Sequence, residues 1–137
     1  MAKISLRWVE EKVFVGTDSN GHSIVIGRTS AENHPWDGLK PSDLLLLAVA
    51  SCAAYDVVEI LTKQREPLYD FRVETSGDQM AEPPYSFTSI RNHYKISGPV
   101  DPKKVEKAIQ LAEDKYCSVI SSLRPKVDFH SDFEILQ

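Results

Sequence analysis

The sequence predicts an α+β fold with a mainly antiparallel sheet and one long, buried central helix. Segments that alternate polar and apolar residues occur in runs, and this gives the element order βββ-α-ββ-α-β. In addition, 14 of the 18 residues from Leu44 to Leu61 are apolar or cysteine, and such a helix needs cover on nearly every side. The length of 137 residues fits a single domain, which we expect to span residues 1–137.

The composition argues against several function classes. The formal net charge is −4 and no basic stripe is visible, so no nucleic-acid binding is expected. The longest uninterrupted apolar run, Leu44 to Ala50, has seven residues, whereas a membrane span needs about 20, so no membrane association is expected. The first residues alternate polar and apolar and lack a signal-peptide core. These patterns favour a soluble, cytoplasmic protein.

Three short strands are predicted before the central helix. They are Ile4–Trp8, Val13–Val15 and Ser23–Gly27. The pair Asn20-Gly21 favours a tight turn into the third strand. Residues 29–40 read as an irregular loop, after which Pro41 and Asp43 are typical of the first turn of a helix. Because the helix is apolar nearly all round, we expect a sheet and a partner subunit to cover it.

The remaining elements follow Pro67. The predicted strands are Tyr69–Thr75, Thr88–Ile96 and Val127–Ile135. Residues 77–84 read as the loop between the first two. Asp101-Pro102 is typical of a capped helix start. The apolar stripe of that second helix is predicted to consist of Val105, Ala108, Ala112, Tyr116 and Val119.

Two cysteines, 65 residues apart, are the residues most able to carry chemistry. Cys52 lies among small residues within the central helix, and Cys117 lies near the end of the second amphipathic segment. Taken alone, the pair reads either as two inert core thiols or as a redox pair. The four histidines and two cysteines show no metal-ligand spacing, so no metal site is expected.

Two segments resemble the OsmC/Ohr family, the osmotically inducible and organic-hydroperoxide-resistance proteins. The segment from Leu39 to Cys52 is similar to the family's helix in which an apolar stretch leads to a small residue and cysteine. The segment from Asp114 to Val119 is similar to the family's second cysteine site. The separation of the two cysteines and the order of elements agree as well, so the resemblance covers essentially the whole chain.

This resemblance implies an intertwined homodimer with active sites at the subunit interface and thiol-dependent reduction of hydroperoxides, organic ones above all. It implies that Cys52 attacks the peroxide and that Cys117 resolves the oxidised product. Asp43 is the nearest match to the glutamate that the family carries before the first cysteine helix, and its side chain is one carbon shorter. The thiols would do the chemistry without a bound cofactor, and an external dithiol would reduce the resulting disulfide.

The sequence departs from the peroxidase pattern in the turn Gly16–Gly21, which lacks the family's arginine. Activation of Cys52 then needs another cation, because a thiolate is stabilised by nearby positive charge. Arg28 is the first candidate; the other candidates are His34, Arg91 and His93. Trp36 and Tyr116 are candidates for lining an apolar substrate pocket. The alternative function is binding of a small hydrophobic ligand by the same fold, with redox-inert cysteines.

Overall fold

Strands and helices follow the predicted order, with one helix more than expected. The structure, a computed structural model, describes residues 2–29 and 36–136. The strands are β1 (Ser5–Glu10), β2 (Lys12–Thr17), β3 (Ser23–Arg28), β4 (Asp70–Gln79), β5 (Phe87–Ser97) and β6 (Asp128–Leu136). The helices are α1 (Pro41–Lys63), α2 (Pro102–Leu111) and α3 (Ser118–Leu123), and a π-helical turn, Ala112–Tyr116, joins α2 to α3. The predicted α+β class is confirmed.

The described chain separates into two compact units, one ending at Leu45 and the other beginning at Leu46. The N-terminal unit contains the antiparallel sheet β1-β2-β3. Gly27 is required in β3, since its φ is +99° and a Cβ there would collide with the Lys12 carbonyl oxygen. Large apolar side chains of this sheet, Leu6 and Trp8 among them, are exposed. That residues 1–137 act as a single domain stays a prediction.

The C-terminal unit contains the second sheet, in the order β4-β5-β6. β4 pairs antiparallel with β5, whereas β5 and β6 are parallel and are connected through α2 and α3. With β1, β2 and β3 also antiparallel, three of the four strand pairings agree with the predicted arrangement. The prediction of a loop from residue 77 was wrong, because residues 77–79 pair with β5 and extend β4.

One seam of α1 forms the centre of the core in the C-terminal unit. The fully buried residues of this seam are Val49, Ala53, Val57 and Leu61. Their spacing of four residues places them along one side of the helix. They form a single cluster with Ile90, Tyr94 and Ile96 of β5 and with α2. Burying an aliphatic side chain stabilises the fold by about 1.5–3 kcal/mol, so this seam holds α1 firmly.

Among the described residues, those on the opposite side of α1 include large apolar side chains that are exposed. Leu47 is 50% exposed and Tyr55 is 73% exposed. The expectation that the helix is buried nearly all round is therefore wrong for a single copy of the chain. By length and composition alone, α1 could also cross a membrane, although its seam belongs to the core of the protein.

Charged side chains of β5 lie on the sheet face opposite the core. The Nδ1 atom of His93 lies 2.6 Å from an Asp132 oxygen, and its Nε2 atom lies 2.9 Å from a Glu134 oxygen. Hydrogen bonds to Glu134 and then Asp132 raise the pKa of His93 above its ordinary value. Arg91 also binds Asp132, at 2.8 Å, and Lys95 binds Glu74 at 2.9 Å.

We expect His93 to make stability pH-dependent. Because its folded pKa is raised, its contribution is fully present below its unfolded pKa of about 6.5 and is lost as the pH rises through the folded value. The His93→Gln variant should therefore differ from wild type most in denaturation midpoint between about pH 5 and 6.5, and least in mild alkali. Urea denaturation measures this. His130→Gln, on the neighbouring strand, is the matched control, and the same pH dependence in both variants would contradict the prediction.

Candidate functional site

The two cysteines meet inside the C-terminal unit. Cys52 is half-buried on α1, next to the seam residue Ala53, and Cys117 is 2% exposed at the start of α3. Their side chains lie close enough for Cys52 to raise the pKa of Cys117, although 65 residues separate them in the chain. Both are free thiols. The fold therefore brings together the two residues that the sequence singled out for redox chemistry.

The π-helical turn positions Cys117. The amide of Cys117 donates to the Ala112 carbonyl oxygen, five residues back, at 2.8 Å. The Cys117 backbone then becomes extended, with φ −75° and ψ 107°. Its Sγ atom caps α3 by accepting a hydrogen bond from the Ile120 amide at 3.4 Å. The sulfur is thus held by the local backbone as well as by burial.

Burial, and after it the neighbouring Cys52 thiol, raise the pKa of the Cys117 thiol to about 11. The Ile120 amide opposes this rise, because a donor to sulfur favours the thiolate. Burial is the largest cause, so Cys117 is protonated at neutral pH. A thiol in that state is a poor first nucleophile, because the thiolate is the reactive form.

The π-helical turn also explains where Tyr116 lies. The sequence predicts Tyr116 in the apolar stripe of the second helix, but the residue is 53% exposed and Lys115 Nζ lies 5.3 Å from its ring centroid. That part of the stripe was wrong, because the wider turn shifts the helical register between Ala112 and Cys117. In the structure Tyr116 faces outward, next to a cation.

A polar network lies in the C-terminal unit, centred on the buried side chains of Tyr94, Asn92 and Glu113. The Tyr94 hydroxyl donates to Glu113 Oε2 at 2.6 Å, and the Ser131 hydroxyl donates to Glu113 Oε1 at 2.7 Å. The Asn92 amide donates to the Tyr94 oxygen at 3.2 Å, and Thr75 donates to Asn92 Oδ1 at 2.6 Å. We call these five residues the polar network.

Both titratable groups of the polar network are shifted towards their neutral forms. Glu113 is 6% exposed, and burial raises its pKa against the hydrogen bonds from Tyr94 and Ser131. Burial also raises the pKa of Tyr94, and the charges of Glu113 and Cys117 act in the same direction.

The sequence analysis did not identify the polar network, although a signal was present. Thr75, Asn92 and Ser131 lie side by side across the sheet, because Thr75 pairs with Asn92 and Asn92 pairs with Ser131. Asn92 and Ser131 each interrupt an inward-facing apolar series on their strand. Glu113 lies beside buried Ala112, where a solvent-facing carboxylate would not be expected.

The remaining predicted site residues lie in the N-terminal unit. The Cζ atom of Arg28 lies 4.8 Å from the ring centroid of Trp36, and Lys40 Nζ lies 5.5 Å from the same centroid. Asp43 is exposed in the first turn of α1, where it complements the helix dipole. That Arg28 stabilises the Cys52 thiolate, and that Trp36 and Asp43 act in the site, stay predictions; His34 lies outside the described residues.

Two other features bear on the site's chemistry. Arg91 lies on the sheet face opposite the core, where it binds Asp132, so it does not face the cysteines of its own chain. Within residues 2–29 and 36–136, no three His, Cys, Asp or Glu side chains form a group able to hold a metal ion. The groups that the structure assembles are thus two thiols, a phenol and a carboxyl.

Comparison with known proteins decides the family. The profile of a family described as OsmC-like protein matches residues 32–132. The chain belongs to the OsmC-like family. This confirms the resemblance drawn from the segments around Cys52 and Cys117. Protein YhfA of Escherichia coli strain K12 is 32% identical to this OsmC-like chain over 132 residues, which cover 96% of each chain.

Solved structures share the fold. A hypothetical protein from Aquifex aeolicus VF5 is 29% identical with a TM-score of 0.88, covering 99% of this chain and 96% of that one. The organic hydroperoxide resistance protein OhrB of Bacillus subtilis is 18% identical with a TM-score of 0.68, covering 98% of both chains. The second likeness concerns the fold alone.

We expect the Cys117 thiol to be alkylated slowly in the native chain. Since its pKa is about 11, its thiolate fraction should rise about tenfold per pH unit throughout the neutral and mildly alkaline range. Iodoacetamide labelling of the Cys52→Ala variant, followed by mass spectrometry over that range, measures this. The same variant unfolded in urea is the control, and a labelling rate that levels off near pH 8.5, about the ordinary thiol value, would contradict the prediction.

Proposed function

We propose that this OsmC-like protein reduces organic hydroperoxides with Cys52 and Cys117 as its redox pair. The observation that supports this most is the proximity of two thiols that lie 65 residues apart in the chain, seen in the effect of Cys52 on the pKa of Cys117. A disulfide requires its two Cα atoms to lie within about 7 Å, so the proposal requires the fold to hold the two cysteines at that range. Family membership supports a redox role, and the relative OhrB is described as an organic hydroperoxide resistance protein.

The proposed reaction uses each thiol once. The Cys52 thiolate attacks the outer peroxide oxygen, the O–O bond breaks, and the alkoxide takes a proton to leave as an alcohol. Cys52 then carries a sulfenic acid. The Cys117 sulfur attacks the sulfur of Cys52, a disulfide forms and water leaves. An external dithiol reduces the disulfide by exchange and returns both thiols. No bound cofactor is needed at any step.

The two environments suit these roles. Cys52 is half-buried, so a small peroxide has more access to it than to Cys117, which is 2% exposed. The raised pKa of Cys117 keeps it protonated while Cys52 reacts first. These differences support Cys52 as the peroxide-attacking thiol and Cys117 as the resolving thiol, which are the roles that the family resemblance implies.

A second candidate function is binding of a small hydrophobic ligand. It is favoured by a groove of about 430 Å³ on the N-terminal sheet, whose walls include Leu6, Ile24 and Ile26. In the turn where the family's peroxidases have an arginine, Asp18 instead binds His22 Nδ1 at 3.0 Å. In this reading the cysteines are inert core thiols. Catalytic peroxide consumption by the wild-type protein would show that ligand binding is not its whole function.

We also propose that the exposed side of α1 is covered by a second copy of the chain. Leu47, Ser51, Tyr55 and Val58 follow one another at steps of three and four, so they lie on one side of the helix. A shallow apolar groove runs along this side from Ser51 to Lys63. A homodimer would remove Tyr55 and Leu47 from water, and such exposed apolar patches usually mark an interface.

The redox proposal is tested by peroxide consumption with dithiothreitol as the reductant and cumene hydroperoxide as the substrate. Cys52→Ser should abolish turnover, because it removes the nucleophile. Cys117→Ser should permit oxidation of Cys52 but lower steady-state turnover at least about tenfold, because the internal disulfide cannot form. Ser51→Ala, next to Cys52 and exposed, is the matched control. Unchanged turnover in Cys52→Ser, or no turnover in wild type, would refute the proposal.

The dimer proposal is tested by light scattering at micromolar concentration. Wild type should have twice the mass of the 15.4 kDa chain. Tyr55→Lys should shift the protein to the monomer, because a charge would be buried at the interface. Tyr69→Lys is the matched control, since Tyr69 is 76% exposed and Tyr55 is 73% exposed. A folded monomer in wild type, or equal effects of the two substitutions, would refute the proposal.

A further inference from the structure

The π-helical turn decides which of two neighbouring side chains is buried. Residues four apart lie on the same side of a helical turn, so Ala112 and Tyr116 form one such pair and Glu113 and Cys117 form the other. The apolar stripe of the sequence favours the first pair on the buried side. In the structure the second pair is buried, since Glu113 is 6% and Cys117 is 2% exposed, whereas Tyr116 is 53% exposed.

Glu113 is the side chain that ties the turn to the sheet in this orientation. Its Oε2 atom accepts a hydrogen bond from the Tyr94 hydroxyl at 2.6 Å, and its Oε1 atom accepts one from the Ser131 hydroxyl at 2.7 Å. One carboxyl oxygen is thus bound to β5 and the other to β6. The next residue, Asp114, binds Arg124 at 2.9 Å, but both side chains are partly exposed and such a pair contributes little.

The groups that hold Glu113 are themselves fixed in the core. Tyr94 is fully buried, and its ring packs against Phe71 with the ring centroids 6.0 Å apart. The Tyr94 oxygen also accepts a hydrogen bond from Asn92 at 3.2 Å. A carboxyl is costly to bury without such partners, so these bonds offset the cost of turning Glu113 inward.

The backbone carries this orientation from Glu113 to Cys117. The Cys117 amide donates to the Ala112 carbonyl oxygen at 2.8 Å, which closes the π-helical turn that contains Glu113. The Cys117 Sγ atom then accepts from the Ile120 amide at 3.4 Å and caps α3. Each link between the carboxyl and the sulfur is therefore a covalent bond or a hydrogen bond of the turn.

We propose that Glu113 is a positioning residue for the resolving thiol, because its bonds to Tyr94 and Ser131 keep Cys117, and not Tyr116, on the buried side of the turn. This inference rests on the proposed function, since Cys117 resolves a sulfenic acid only in that reaction. Without the two bonds, burial of the Tyr116 ring would favour rotation of the turn, and Cys117 would face solvent. The exchange would separate Cys117 from Cys52.

The first measurement needs no redox partner. It is the rate at which iodoacetamide labels Cys117 at pH 8 in the Cys52→Ala background, followed by mass spectrometry. Glu113→Ala should raise this rate at least about tenfold, because an exposed thiol returns towards its ordinary pKa of about 8.5. Glu113→Gln should keep the slow rate, since its amide oxygen can accept from Tyr94 and its NH₂ group can donate to Ser131.

Three further variants separate positioning from loss of stability. Asp114→Ala, in the same turn, is the matched control and should stay within about twofold of the background. Val105→Ala removes apolar contacts of a fully buried residue in α2 and leaves the bonds of the turn in place. At equal distance below Tm, Glu113→Ala should be labelled at least about tenfold faster than Val105→Ala. Adding Tyr116→Gln to Glu113→Ala should restore most of the protection, because a glutamine gains little from burial.

The second measurement is closure of the internal disulfide in glutathione buffers. The Cys52 thiolate attacks glutathione disulfide and releases one glutathione, and Cys117 then attacks the Cys52 sulfur and releases the second. The closed fraction at equilibrium gives the effective concentration of one thiol towards the other. Glu113→Ala should lower that concentration at least about tenfold, whereas Glu113→Gln should remain within about threefold of wild type.

Several results would overturn the positioning role. They are labelling and closure in Glu113→Ala equal to those in Asp114→Ala, labelling no faster than in Val105→Ala, and no recovery of protection with Tyr116→Gln. Ser131→Ala removes one of the two bonds and serves as the milder variant should Glu113→Ala not fold. It should be labelled at least about threefold faster than the background, and an unchanged rate would count against the proposal.

The failures of the two proposals are distinguishable. Wild type that consumes no hydroperoxide would refute the peroxidase function, while labelling of Cys117 still decides whether Glu113 positions it. Wild type that consumes hydroperoxide while Glu113→Ala labels and closes normally would refute the positioning role alone. Wild type that never closes the disulfide in glutathione buffers would refute both, because Cys117 then resolves nothing.

Discussion

The packing of one side of α1 against β5 and α2 is the constraint on which the rest of the C-terminal unit depends. The seam residues Val49, Ala53, Val57 and Leu61 are fully buried and repeat every four residues. At about 1.5–3 kcal/mol for each of the three larger side chains, Val49, Val57 and Leu61, their burial is comparable to a large part of the net stability of a domain, about 5–15 kcal/mol. Cys52 directly precedes Ala53 in this seam, so its position beside Cys117 is fixed by core packing and needs no covalent link.

The polar network crosses this apolar core at a cost in stability. It joins β4, β5, β6 and the π-helical turn through hydrogen bonds between side chains. In the part of the chain that the structure describes, every buried polar side-chain atom has a partner. Removing one partner would leave another group unsatisfied, at about 1–3 kcal/mol. Because these hydrogen bonds join the π-helical turn to all three strands of the sheet, the network holds the turn that precedes Cys117 against the sheet.

Most of the fold could be predicted from the sequence because its signals are local. The alternation in the strands, the apolar run of α1 and the cap at Asp101 each reflect contacts within a few residues, and the structure has all of these elements. The π-helical turn could not be predicted, because the apolar residues from Val105 to Val119 also fit one continuous α-helix. The departure from that helix is seen only in the structure, where the Cys117 N–H donates to the Ala112 carbonyl oxygen, five residues back. The exposure of Tyr116 follows from that choice. The parallel pairing of β5 with β6 depends on a distant crossover and leaves no local pattern.

The candidate site was predictable to a smaller extent. Neither composition nor periodicity predicts that Cys52 lies near Cys117, because their proximity arises from tertiary packing. The family resemblance was the basis for predicting that the two cysteines act as a pair. Glu113 and Tyr94 were missed for a related reason. A tyrosine and a glutamate in amphipathic segments read as ordinary core and surface residues, and the hydrogen bond between them spans 19 positions of sequence. Asn92 and Ser131 carried a usable signal, because two polar interruptions fall at paired positions of adjacent strands.

The environments of the two thiols differ. Burial, and after it the neighbouring Cys52 thiol, raise the pKa of Cys117. Cys117 therefore keeps its proton at neutral pH, whereas Cys52 is the more accessible of the two sulfurs. In the proposed reaction Cys52 is oxidised first, and Cys117 must then lose the proton it has held before a disulfide can form.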